Sequence, residues 1–238
     1  MKAVIQSGGK GTRLRPYTSV LPKPLMPIGA RPVLELLLKW LRRSGIEEIY
    51  ITTGYLGHLI RSFCGDGQQW GMKITYTQEL EPLGTIGPLT LIREELDTTF
   101  MVLNGDILTD LSLSLFIECH RSHGHPLTIA TTTRAMKSEF GVIDDESGIV
   151  TRFREKPIIS NEVSMGAYMM EPSVLKFIPS GVPFGFDDLV FCMMERKVPV
   201  HVYKHSGVWL DIGRVEDFTN AQDIDWDQSE PFRVASIR

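Results

Sequence analysis

The sequence predicts an α/β fold, a three-layer α/β/α sandwich around a mixed, mostly parallel central sheet, with a β-hairpin lobe set on it. Three observations predict it. Short apolar runs alternate with helical stripes through the first half, a hairpin pattern interrupts that alternation near residue 145, and 238 residues with 42% hydrophobic content suffice for one full core without metals or disulfides.

Ala3-Val4-Ile5 is an apolar run that ends in glycines, which suits a strand buried on both faces that stops at a loop. The segment 32–44 (PVLELLLKWLRRS) places Leu34, Leu37, Leu38 and Leu41 at helical spacing. It opens on proline, closes on Arg42 and Arg43, and is followed by Gly45, so a helix is expected there. A strand over 48–53, a helix over 59–63 and a strand over 73–76 follow, then a helix over 89–96 and an apolar strand over 100–103. This order implies parallel strands joined by right-handed crossovers, whose ligands bind beyond the carboxyl ends of the strands.

Segments 127–133, 141–144 and 149–153 then read as strands, the last two around a turn at Asp145-Glu146-Ser147-Gly148. Helices are expected over 113–123, 187–196 and from 215 to about 221. Residues 1–222 form one domain in this reading, and the Asp- and Ser-rich tail 223–238 is expected to be loosely held.

The formal charge of −4 is spread without long runs of one sign, which gives no reason to expect nucleic acid or a membrane as partner. Cys64, Cys119 and Cys192 are odd in number and far apart, so they are expected as buried thiols of a reducing compartment. No window supplies the ~20 apolar residues of a membrane span, and the first residues are too short an apolar stretch for a signal peptide; the cytoplasm is the expected location. The six histidines, among them His120, His123 and His125 near a helix end, are expected at the surface; their clustering suggests a metal site, but the spacing matches no standard metal motif and none is expected there.

Candidate chemistry begins in Gly8-Gly9-Lys10-Gly11-Thr12-Arg13, directly after the first strand. Glycines let backbone N–H groups close on phosphate oxygens, and Arg13 can fork onto the same anion. A tight connection with no ligand is as good a reading of the loop alone. Neither the G-x-G-x-x-G spacing nor a P-loop is present. In Leu21-Pro22-Lys23-Pro24-Leu25-Met26-Pro27, three prolines stiffen the backbone around Lys23 and so position its charge.

Taken together, GGKGTRLRPYT and LPKPLMP resemble the signature of the sugar-1-phosphate nucleotidyltransferases, or NDP-sugar pyrophosphorylases. Within that family the chain most resembles the short mannose-1-phosphate and heptose-1-phosphate guanylyltransferases. The resemblance runs through most of the chain and stops in the tail. It implies a Rossmann-like fold and a reaction that joins a sugar 1-phosphate to a nucleoside triphosphate, releasing pyrophosphate. Arg13 and Lys23 would contact the reacting phosphates, and Gly8, Gly9, Gly11 and Thr12 would hold the nucleotide. Gln78, Pro82, Gly84 and Thr85 resemble the base-binding segment, with Asn104 beside them. Asp106, in Asn104-Gly105-Asp106, and Asp211, in the late D-x-G motif, would be the two carboxylates on a magnesium ion.

The hairpin lobe would bind the sugar. Gly141, Glu155, Lys156 and Ser164 resemble its sugar-phosphate contacts, although the family usually has asparagine at the position of Ser164. Leu83-Gly84-Thr85 and Asn104-Gly105-Asp106 incline the reading toward guanine, with a mannose- or heptose-type sugar; ATP, UTP, CTP and dTTP stay open. So does a non-catalytic relative that senses nucleotide sugars. The reading names the two small substrates as partners and leaves room for a homo-oligomer.

No catalytic triad is needed for such a reaction. A sugar phosphate loses its second proton near pH ~6, so it is already an anionic nucleophile at neutral pH.

Overall fold

The structure is a computed structural model and describes residues 1–226. In chain order its strands and helices begin with β1 (Lys2–Ser7), β2 (Pro27–Ile28), β3 (Arg31–Pro32), α1 (Val33–Arg43), β4 (Glu48–Thr53), α2 (Gly57–Cys64) and β5 (Lys73–Gln78). Then follow β6 (Phe100–Asn104), β7 (Ile107–Thr109), α3 (Leu113–His123), β8 (Leu127–Lys137), β9 (Val142–Glu146), β10 (Ile149–Arg154) and β11 (Ile158–Met170). The last are α4 (Phe186–Glu195), β12 (Val200–His205), β13 (Trp209–Asp211) and α5 (Val215–Gln222).

Seven strands form the central sheet in the order β12-β8-β11-β6-β1-β4-β5. Neighbouring strands are parallel except where β11 meets β6 and β8, so the sheet is mixed and mostly parallel as expected. Each central strand feeds two cores, because successive side chains point to opposite faces. Ala3 and Ile5 of β1 join a cluster with Ile49, Met101 and Leu103 under α1. Val4 lies on the other face with Tyr50, Phe100 and Val102, against Leu89, Ile92, Val174 and Leu189. The expected stripe Leu34, Leu37, Leu38 and Leu41 is fully buried, and Trp40 is buried with it, its Nε1–H donating to the Leu111 carbonyl.

Several readings change. The segment expected to be helical over 89–96 is a short 3-10 helix, Gly87–Ile92, that opens at Pro88. The strand β11 runs thirteen residues where only a pocket motif was expected, and its ladder with β8 breaks between Ser164 and Tyr168. His120, expected at the surface, is buried: burial of the imidazole lowers its pKa, and Glu171 opposes that shift. Of the thiols expected to be buried, Cys64 is; Cys119 and Cys192 are only half-buried. The expected tail is packed at its start, where Trp226 is buried and donates to the Ala221 carbonyl. The rest of that segment, 227–238, lies outside the described residues.

The hairpin β9–β10 stands away from both cores, with Ile149, Val150 and Phe153 exposed. Among the described residues no helix is long and apolar enough to cross a membrane.

Candidate active site

A cleft of about 440 Å³ opens where β1, β4 and β6 end. Gly8, Gly9 and Arg13 line it from the loop after β1, Lys23 from the proline-flanked segment, Asn104 and Asp106 from the end of β6, and Asp211 from β13. Pro82, Gly84 and Thr85 close another side. This is the carboxyl edge of the parallel strands, where an α/β sheet leaves a crevice.

Asp106 and Asp211 line the same cleft because two short strands pair. β13 runs antiparallel to β7 with Asp211 opposite Ile107, and the Ile212 N–H donates to the Asp106 carbonyl at 2.8 Å. Residues 105 positions apart in the chain therefore share one wall. Asp106 pairs with the Lys23 ammonium, both side chains being largely shielded from water. Asp211 Oδ1 accepts the Gly213 N–H at 2.9 Å, which leaves Oδ2 facing Arg13 at 3.9 Å. Arg13 is 63% exposed, a guanidinium held loosely enough to turn onto a ligand.

The β13 strand is itself held by a buried ion pair. Arg134 donates two hydrogen bonds to Asp217, at 2.8 and 2.6 Å, and Asp217 Oδ2 also accepts the Asp211 N–H at 2.9 Å. The Asp217 carboxylate raises the pKa of Arg134. The guanidinium lies 5.4 Å from the Trp209 ring centre, and Trp209 Nε1–H donates to the Met165 carbonyl. Thus the Asp211 backbone is fixed from α5, β8 and β11 together.

Gly11 is left-handed at φ 61, and a Cβ there would stand 2.6 Å from Lys23 Cγ, so glycine lets the lysine stem cross the loop. The Thr18 hydroxyl donates to the Gly11 carbonyl at 2.8 Å and ties the turn from below. On the sheet side the break in β11 serves the site directly. Gly166, at φ 73, has the Asn104 amide where its Cβ would be, so a side chain there would displace Asn104 from the cleft.

Several predicted residues lie elsewhere. Gly11 and Thr12 do not line the cleft, Thr12 being exposed, and Gln78 is exposed at the end of β5. Gly141, Glu155, Lys156 and Ser164 do not line this cleft; Glu155 and Lys156 are exposed on the hairpin lobe, with the Glu155 carboxylate lying over Gly141. Ser164 is nearer, at the β11 break, its hydroxyl 3.3 Å from the Tyr168 hydroxyl.

Other lining residues were not anticipated. Gln6 Nε2 and Ser7 Oγ are buried on the cleft wall without a protein hydrogen-bond partner, which marks them as groups a ligand would satisfy. Glu79 also lines the cleft; its Oε2 accepts the Leu83 N–H at 2.8 Å and its Oε1 packs against Gly8. Burial raises the Glu79 pKa, and the Leu83 bond partly opposes that. Its position inside Gln78-Glu79-Leu80-Glu81-Pro82 was the available signal.

Glycine backbone, two cations and two carboxylates thus surround one crevice at the carboxyl edge of an α/β sheet, a combination whose chemistry suits phosphate groups. The chain belongs to the nucleotidyl transferase family, whose model matches residues 2–228. It is 37% identical over 241 residues to a UTP–glucose-1-phosphate uridylyltransferase of Synechocystis sp., covering 93% of this chain and 62% of that protein. It is 35% identical over 226 residues to the mannose-1-phosphate guanylyltransferase catalytic subunit beta of Danio rerio, covering 92% and 62%. The chain thus spans about three fifths of the length of these curated relatives. Among solved structures, HddC from Yersinia pseudotuberculosis complexed with GMP-PN superimposes with a TM-score of 0.73 at 25% identity, covering 93% of this chain and 98% of that one.

Proposed function

We propose that this chain joins a sugar 1-phosphate to the α-phosphorus of a nucleoside triphosphate, giving an NDP-sugar and pyrophosphate. The observation that carries the reading is the β7–β13 pairing, which sets Asp106 and Asp211 on one wall beside Lys23 and the Gly8–Arg13 loop. The names of the relatives support it, since both pair a sugar 1-phosphate with a nucleotidyl group.

Carboxylate oxygens are the hard donors magnesium takes, and Asp211 Oδ2 faces the cleft with only the long Arg13 approach against it. Asp106 and Asp211 would hold the ion, which when bound neutralises charge on the phosphates. The protein's own groups do the rest. The glycine loop grips the triphosphate with its N–H groups. Lys23 leaves Asp106 for the phosphates, and Arg13 swings inward onto them. An oxygen of the sugar phosphate then attacks the α-phosphorus as the bond to pyrophosphate breaks. Two anions that repel one another are held in line, and no proton need be removed at neutral pH.

Guanine is the base we favour. Glu79 offers a shielded carboxylate beside Gly8 and Gly84, and a carboxylate suits the two adjacent N–H donors on the guanine edge. The complex of HddC with GMP-PN supports the same choice. The mannose-1-phosphate guanylyltransferase relative supports a sugar of the mannose or heptose type beside it. The uridylyltransferase relative makes UTP with glucose 1-phosphate the second reading. For the sugar phosphate, Gly141, Glu155, Lys156 and Ser164 are the proposed contacts, reached when the hairpin lobe closes over the cleft.

Purified chain with magnesium, five nucleoside triphosphates and a panel of sugar 1-phosphates tests this by pyrophosphate release. Release with GTP and a mannose- or heptose-type phosphate is expected. Silence across the whole panel would favour the nucleotide-sugar sensor instead.

A further inference from the structure

At the opposite edge of the sheet from the cleft, the fold collects soft donors that the nucleotidyl reaction does not use. The strands β8 and β12 run parallel to β1 and β6, so their first residues lie at the amino end of the sheet. There His201 of β12 stands opposite Thr128 of β8, and the last turn of α3 brings Cys119 and His123 against them. Donor atoms of Cys119, His123 and His201 all lie within 4.8 Å of one another. The His123 and His201 ring centres are 3.8 Å apart, and the His125 ring stacks on His123 at 4.8 Å.

The surroundings orient His123 as a metal-binding imidazole is oriented. Its Nδ1 accepts the His125 N–H at 2.9 Å, so the ring proton is on Nε2 and is donated to Thr128 Oγ1 at 3.0 Å. The Thr128 hydroxyl proton then goes to His120 Nδ1, at 2.6 Å, and His120 Nε2–H goes to the Glu171 carboxylate at 3.2 Å. A ring whose far N–H is fixed through such a chain to a carboxylate presents its other nitrogen as a basic ligand. That nitrogen is Nδ1, and an ion would replace the single N–H of His125. Gly124, left-handed at φ 66, makes the joint on which His125 can move away.

We propose that Cys119, His123 and His201 form a binding site for a borderline-soft divalent ion of the zinc class, which staples the end of α3 to the edge strand β12. A thiolate with two imidazoles selects such an ion over magnesium. The fourth position falls to His125 or water. Tetrahedral bonding brings donor atoms to roughly 3.5 Å, so the present group closes by about 1 Å on binding, within reach of ring and thiol rotation. This site is independent of the proposed reaction, since it shares no residue with the cleft.

The test uses the full chain, stripped with a chelator and titrated with Co²⁺ while magnesium saturates the carboxylates. One equivalent of Co²⁺ is expected to bind with tetrahedral visible bands and a thiolate charge-transfer band, and Zn²⁺ is expected to displace it. Cys119→Ser should abolish the charge-transfer band, and His201→Asn should weaken binding by at least about tenfold. Zn²⁺ should raise the melting temperature of the wild type and not of His201→Asn. A wild-type spectrum without the thiolate band overturns the proposal, as does a band that survives in Cys119→Ser. Should either variant fail to fold, the wild-type spectrum decides alone.

Discussion

Replacing Asp217 by asparagine keeps the shape of the side chain and the acceptor for the Asp211 N–H but removes the charge that Arg134 grips. The pair is nearly dry: the Asp217 side chain is 3% exposed and the Arg134 side chain 19%. Breaking a buried pair from one side costs about 3–5 kcal/mol, because the surviving charge stays desolvated. Arg134 keeps some water and its contact with Trp209, so about 2–4 kcal/mol is the expected loss. With a denaturant slope of about 3 kcal/mol per M, the urea midpoint should fall by about 1 M. The same change loosens the Asp211 backbone, and groups that orient a metal ligand are worth about 10–100-fold in affinity. The magnesium concentration for half-maximal pyrophosphate release should therefore rise about tenfold or more. Urea unfolding followed by tryptophan fluorescence and a magnesium titration of the rate read the two effects. A midpoint within about 0.2 M of wild type, or an unchanged magnesium dependence in a destabilised protein, would refute the reasoning.

Further outcomes follow from other parts of the molecule. Glu79→Gln should cut kcat/KM for GTP by about tenfold or more while leaving ATP and UTP within a few-fold, since one charge-assisted bond is worth about 1.5–3 kcal/mol; equal losses for every base would dismiss Glu79 as a base reader. Gly166→Ala should destabilise by about 1–3 kcal/mol and raise KM for the nucleotide, because the Cβ takes the place of the Asn104 amide; a melting curve and kinetics like wild type would contradict it. Burial lowers the pKa of His120, and burial with the neighbouring His201 charge lowers that of His123 to about 4. In the presence of a chelator, stability is thus full above pH 6.5 and falls toward pH 4, where the unfolded chain takes protons that the folded one refuses. Melting temperatures across that window should drop, and less so in His123→Asn; a flat profile would contradict the assignment.

Local periodicity made much of the fold legible. The leucines of α1 recur at helical spacing and all reach the core, and the apolar runs of β1, β4 and β6 are continuous because helices cover both faces of those strands. The strand β11 was hidden, since half of it is polar and exposed and a left-handed glycine interrupts it; its identity is set by pairing with β8 and β6. The 3-10 segment Gly87–Ile92 carries Leu89 and Ile92 at a spacing a helix shares, and Pro88 suits a first helical turn, so the sequence does not distinguish the short 3-10 turn that forms where the Ile86 and Gly87 N–H groups both donate to the Phe184 carbonyl. In the cleft, the glycine loop, Lys23, Asp106 and Asp211 were legible as motifs. Asp217 was not, because its value comes from Arg134, 83 residues earlier. Likewise Cys119 and His201 form a group only through the crossover that lays β12 beside β8.

The central claim, that residues Asp106 and Asp211 act on one ion, is tested most directly by Mn²⁺ binding, read by electron paramagnetic resonance with nucleotide present. Wild type, Asp106→Asn, Asp211→Asn and the double variant are compared. A shared ion predicts that each single change weakens one common site severely and that the double adds little. Two separate losses that sum, or a single variant that binds like wild type, would contradict it.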